Sequence, residues 1–124
     1  MMNSTTVAPL KSGACAFFAC VCALASSGAT ASIVSPAASV TVTVSYAYTN
    51  YGGGDFVFST SATAEGCGSG WYISSADPGY KAAVSTVLTA QAGGNFVIVY
   101  GDNAQLWSGS SGKYCHVQAV GISS

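Results

Sequence analysis

Only one stretch beyond the first thirty or so residues has a helical period, and it lies among stretches that read as strands. In residues 77–94, Tyr80, Val84, Val87, Leu88 and Gln91 recur at helical spacing, and Ala83 and Ala90 widen that face. Asp77 is expected to cap the N-terminus with Pro78 in the first helical position, and Gly93 or Gly94 to end the helix. Lys81, Ser85, Thr86 and Thr89 leave the other side small and rich in hydroxyls. Before it, residues 39–48 alternate, with Val40, Val42, Val44, Tyr46 and Tyr48 on one face and Thr41, Thr43, Ser45 and Ala47 on the other. Residues 55–60 and 71–74 read as two shorter strands. After it, residues 95–100 are continuously apolar, which predicts a strand buried on both faces. Residues 113–122 alternate again, with Tyr114, His116, Gln118 and Val120 opposite Cys115, Val117, Ala119 and Gly121. Residues 49–54, 61–70 and 101–112 read as turns or loops.

One helix cannot cover both faces of a parallel sheet, so a Rossmann-like arrangement is disfavoured. The expected fold is mainly β with one α-helix, in the order β-β-β-α-β-β. A five-stranded OB-fold-like barrel, with the helix between the third and fourth strands, fits that order.

The first residues read differently. Lys11 precedes an apolar run over residues 14–25, followed by SSGATA with Ala29 and Ala31 in a small-x-small pattern. This is the pattern of a cleaved secretory signal peptide, expected over residues 1–31, with the domain at 32–124. The run is about 12 residues, short of the roughly 20 that cross a bilayer, so no membrane insertion is expected after cleavage. The product is expected to be secreted or periplasmic. Cleavage removes Cys15, Cys20 and Cys22 and leaves Cys67 and Cys115. In an oxidising compartment two cysteines read as one disulfide, the alternative being two free thiols. It would close a loop of about 48 residues, stabilising the fold by on the order of 3–4 kcal/mol.

Charged residues make up 6% of the chain and the net charge is -1. Lys11, Lys81 and Lys113 are the only lysines and there is no arginine. That excludes the basic stripe a nucleic-acid partner needs. Two cysteines and one histidine fall short of a closed metal site, and no cofactor is expected. His116 follows a cysteine expected to be oxidised, which leaves no thiol nucleophile for it. The carboxylates are Asp55, Glu65, Asp77 and Asp102, and nothing in their spacing pairs them for glycosidase chemistry. GGGD at residues 52–55 lacks the lysine of a phosphate loop and reads as a hairpin turn. The chain is therefore not expected to be an enzyme.

C-x3-W-Y-I-S from Cys67, a Pro-started helix ending T-A-Q-A-x-G, YGDNAQLW, and K-Y-C at Cys115 together resemble small exported bacterial proteins of the kind of the subtilase cytotoxin B subunit and its pertussis-like relatives. The resemblance spans residues 67–122 and rests on Cys67, Trp71, Tyr72, Tyr80, Ala90, Gln91, Gly93, Val97, Val99, Tyr100, Trp107 and Cys115. It implies an OB-fold subunit able to form a homopentamer, a partner enzymatic A subunit, and binding to cell-surface glycans. The small hydroxyl face of the helix would let copies pack closely. Read by itself, that face is simply solvated.

The residues offer their own case for a neutral ligand. Sugars stack on aromatic faces while uncharged side chains supply hydrogen bonds, and the chain has 7 tyrosines and 2 tryptophans. Tyr51 and Trp107 fall in loops, and Tyr48 lies at a strand end. With Asn50, Asp102 and Asn103 they make the candidate site. The alternative is that most of these rings are core packing. The rival function is a stand-alone structural or inhibitory secreted protein that binds a protein partner.

Overall fold

The computed structural model describes residues 32–124. The expected signal peptide, with Cys15, Cys20 and Cys22, lies outside the described residues. The elements are β1 (Ile33–Val34), β2 (Val40–Ala47), a 3-10 turn η1 (Tyr51–Gly54), β3 (Phe56–Thr60), β4 (Gly70–Ile73), α1 (Tyr80–Gly93), β5 (Phe96–Leu106) and β6 (Tyr114–Ser123). The chain is mainly β with one helix, and its six strands form one sheet. Five of them close a ring: β2 pairs β3, β3 pairs β4, β4 pairs β6, β6 pairs β5 and β5 returns to β2. Every pairing is antiparallel except β4–β6. The sixth strand, β1, was not foreseen; it lies against Gly101 and Asp102 of β5, beyond the point where β2 leaves that edge.

Two bulges decide which side chains face the interior. In β2 the register steps from Val42↔Thr60 to Val44↔Ser59, so Thr43 is an extra residue. A one-residue slip turns every following side chain to the opposite face. Val40 and Val42 are buried, but Val44 and Tyr46 are exposed, against the expectation that all five alternating residues share a face. Ser45 now points to the helix and its Oγ donates to Gln91 Oε1 at 2.6 Å. The interior beside it is already filled by Phe56 and Phe58 of β3. In β6 the pairing steps from Tyr100↔Ala119 to Gly101↔Val117, leaving Gln118 extra. Cys115, Val117 and Val120 consequently pack inward while Ala119 and Gly121 are exposed, which breaks the predicted alternation.

β5 also departs from expectation. Val97 and Val99 are buried, but Phe96, Ile98 and Tyr100 are 40–50% exposed, so the strand is not covered on both faces. It also runs on through Leu106 in what read as loop, because residues 101–106 find partners in β1 and the start of β6.

The helix buries Val87 and Ala90 in the core, with Tyr80, Ala83 and Val84 packed beside them. Leu88, placed on that face by spacing, is exposed. Gly94 ends the helix in the left-handed conformation, its N–H directed at the carbonyls of Ala90 and Gln91. The start differs from the prediction: helix begins at Tyr80, Gly79 is its N-cap, and Asp77 donates no cap. The Asp77 carboxylate accepts instead from Ser74 N at 3.0 Å and from His116.

Trp71 is fully buried; its Nε1 donates to Thr60 Oγ1 at 3.0 Å, and a Cβ on Gly101 would meet its ring at 2.6 Å. Beside it Cys67 and Cys115 form the expected disulfide, with Cα atoms 5.4 Å apart and both residues fully buried.

Candidate functional site

After β2 the chain turns through Gly52, Gly53 and Gly54, at φ 63°, 76° and 81°. These left-handed positions suit glycine, and they swing Tyr51 back over the strand it has just left. Tyr51 is 61% exposed, and its hydroxyl donates to the Gly109 carbonyl. Beneath it lies Trp107, only 4% exposed. A Cβ on Gly52 would come 2.5 Å from Trp107 Cζ2, and one on Gly109 closer still, so both loops press bare backbone on the indole. Trp107 Nε1 donates to Asp55 Oδ2 at 3.1 Å, and Asp55 Oδ1 accepts from Ser75 N at 2.8 Å.

The tyrosines stand on this floor. Tyr48 lies 5.2 Å from Trp107 and 5.7 Å from Tyr51 between ring centroids. Tyr51 meets the indole edge-on at 6.1 Å, and Tyr114 does the same from the other side at 5.9 Å. Tyr46, 54% exposed, stacks beside Tyr48 at 6.0 Å with 28° between planes. Such pairs contribute about 0.5–1.5 kcal/mol each beyond the area they bury. The bulge at Thr43 puts Tyr46 and Tyr48 on the outer face: in the register set by Val42 and Thr60, Tyr46 would lie opposite Phe56 and point into the core. The surface offers aromatic faces rimmed by exposed Thr49, Asn50, Ser108 and Ser110.

Of the residues picked from sequence, Tyr48, Tyr51 and Trp107 meet, with exposed Asn50 beside Tyr51 in the chain. Trp107 is the floor rather than an exposed ring, because its loop folds back under Tyr51. Asp102 and Asn103 do not join them. Asp102 is buried and its Oδ1 accepts from Ala104 N, while Asn103 bonds to the Ser32 and Glu65 carbonyls. Sequence reading missed Tyr46 and Tyr114. Tyr46 was within reach of it, two residues from Tyr48 on one strand face; Tyr114 comes close only through the β5–β6 connection.

A second polar group lies beyond Asp55 and Ser75, around Asp77. His116 Nε2 is 2.8 Å from Asp77 Oδ2, Gln118 Nε2 is 3.1 Å from His116 Nδ1, and the Tyr72 ring lies 5.0 Å from the imidazole. Burial, and then the charges of Asp55, Asp77 and Asp102, push the Tyr72 phenol above its usual value. Folding thus favours the neutral phenol. That contribution is fully present below the ordinary tyrosine value of about 10 and is lost as pH rises through the raised one. Tyr72→Phe is expected to lessen the alkaline loss of stability, measured by denaturant unfolding at stepped pH above about 10. An unchanged slope would contradict this assignment.

Among the described residues no three His, Cys, Asp or Glu side chains are placed to hold a metal, and no helix is long and apolar enough to cross a membrane. Comparison of the chain with protein-family models, with curated proteins and with solved structures finds no match.

Proposed function

We propose that this chain is an exported, non-enzymatic binding protein of the toxin B-subunit type, folded as an OB-fold barrel, that recognises cell-surface glycans through the Tyr46–Tyr48–Tyr51 surface. The observation that carries the reading is the aromatic row itself: exposed Tyr51 and half-buried Tyr48 rest on the buried Trp107, exposed Tyr46 stacks on Tyr48, and uncharged side chains rim them. Rigid two-torsion rings give contact area at low entropic cost, which suits recognition. The OB-fold part is supported by the ring order β2-β3-β4-β6-β5, by its single parallel contact, and by the helix between the third and fourth ring strands. The non-enzymatic part is supported by Cys115 being oxidised and by both His116 nitrogens having partners.

Assembly into a homopentamer, and service to an enzymatic A subunit, belong to the same proposal. The exposed row Phe96, Ile98 and Tyr100 favours a protein contact of some kind, and so equally supports the second reading, a stand-alone secreted structural or inhibitory protein that binds a protein partner. Light scattering separates them: a mass near five subunits supports the ring, a clean monomer the rival. A glycan array tests the ligand. Tyr51→Ala is expected to weaken glycan binding about tenfold, or about 1.4 kcal/mol, and to cost about 1–3 kcal/mol of stability through the two ring contacts it gives up, leaving the protein folded. Absence of any glycan binding by the wild type would remove the lectin reading.

A further inference from the structure

Away from the tyrosines, a cleft of about 270 Å³ opens between the turn at residues 74–79, the first turn of α1 and β6. Its walls are apolar at Ile73, Pro78, Ala83 and Val117, and polar at Asp77, His116 and Gln118. We propose that this cleft is a separate binding site for a small organic cation, a primary ammonium group on an apolar body.

The hydrogen bonds around His116 set the polarity of the site. Gln118 Nε2 donates to Nδ1, which leaves the Nε2 hydrogen to donate to Asp77 Oδ2. In that arrangement the imidazole holds the Asp77 carboxylate in place at the wall of the cleft. Both bonds made by the Asp77 carboxylate fall on Oδ2, from Ser74 N and from His116. Oδ1 is free to accept from a ligand, and so is the Gln118 carbonyl oxygen. Two more carboxylates lie near: Asp102 is opposite His116 in the β5–β6 register, and Asp55 accepts from Ser75 N in the turn that borders the cleft. Among the described residues the only contact between basic and acidic side chains is His116–Asp77, so neither Lys81 nor Lys113 is ion-paired with these carboxylates.

The start of α1 also borders the cleft and on its own would favour an anion. Its partial charge is about half an elementary charge, and the Tyr80 N–H is already given to the Asp77 carbonyl. One full carboxylate charge at the wall, with two more nearby, outweighs it. The volume lies just under the range of about 300–1,000 Å³ usual for ligand pockets. It suits a single short chain with one charged head, whether a free amine or a lysine side chain from a protein.

The test is an amide chemical-shift titration with three probes: n-pentylamine, 1-pentanol as its neutral counterpart, and Nα-acetyl-lysine methylamide. Pentylamine is expected to bind at least tenfold more tightly than pentanol, with shifts centred on Gly79, His116, Gln118 and Ala119. Asp77→Asn is expected to remove that preference. Because Asp77 also holds Ser74 and His116, a second variant leaves those bonds alone. Gly79 lies at φ -93° and a Cβ there meets nothing within 4 Å, so Gly79→Leu is tolerated by the backbone and fills the opening. It should abolish binding of both small probes with no loss of folded structure. Tighter binding of the lysine derivative than of pentylamine assigns the site to a protein side chain, and the reverse assigns it to a free amine. Equal binding of pentanol and pentylamine, no binding of any amine, or shifts elsewhere on the surface overturns the proposal. None of these results bears on glycan binding at the tyrosine row.

Discussion

Replacing Cys67 and Cys115 together by alanine is expected to destabilise the fold by about 2–5 kcal/mol. For a domain of this size that lowers the melting temperature by roughly 10–40 °C. The chain-entropy argument alone gives a figure in that range, because the bridge spans 48 residues of sequence. Its position adds a second reason. The ring closes through β4 and β6, its one parallel pair, and β4 is four residues long with only three paired to β6. Parallel pairing is slightly weaker per residue than antiparallel. Cys115 sits within that seam, opposite Trp71, and Cys67 lies just before β4. The bridge therefore fastens the one parallel joint of the ring, which is only three residue pairs long. Without it, hydrogen exchange should accelerate first at the amides of β4 and the first half of β6, while β2 and β3 stay protected. Thermal melts of wild type and double variant measure the size of the effect. A variant melting within a few degrees of wild type would mean that Trp71 and its neighbours hold the seam unaided.

The joint was legible in the sequence, and the surface was not. Two cysteines left after an expected cleavage allow only one pairing within the chain, and strong punctuation at Pro78 and Gly94 marks a helix whatever surrounds it. Face assignments failed wherever a bulge intervened. Nothing local in VTVTVSYA says that Thr43 is extra. The bulge follows from fitting β2 to a β3 whose Phe56 and Phe58 already occupy the interior, which is a property of the closed ring. Asp77 failed for a related reason. Beside a proline and a helix it reads as a cap, but its carboxylate is claimed by His116, 39 residues away in sequence. The same holds for Phe96, Ile98 and Tyr100: an apolar run is compatible with burial on two faces, and only the folded arrangement, in which these three are 40–50% exposed, shows that none of the described residues covers the outer face. Local chemistry fixes which elements form. Which face each element presents is settled between elements that are distant in the chain.

Trp107→Ala is expected to remove glycan binding and to cost about 3–5 kcal/mol of stability as well. From sequence, Trp107 falls in a loop, where a ring is ordinarily exposed. Its burial says otherwise. The indole fills the space between Gly52 and Gly109, and these backbones cannot supply atoms to close the hole it would leave. Asp55 Oδ2 would lose its indole donor, while Asp55 Oδ1 would keep Ser75. Tyr48 and Tyr51 would lose the surface they rest on, so their ring faces would no longer be held for a ligand. Loss of binding in this variant alone would not separate a disordered site from an unfolded one. Trp107→Phe resolves that: it keeps an aromatic floor and gives up the bond to Asp55, so it should retain most of the stability and part of the binding. Tyr51→Ala should lose the binding at a smaller cost in stability than Trp107→Ala, since it gives up two ring contacts but leaves the buried indole in place. The three variants, each followed by thermal melting and by titration against the best glycan found on an array, make one series. Were Trp107→Ala to melt early yet bind that glycan as tightly as wild type, the tyrosine row would be packing alone and recognition would have to lie on another surface.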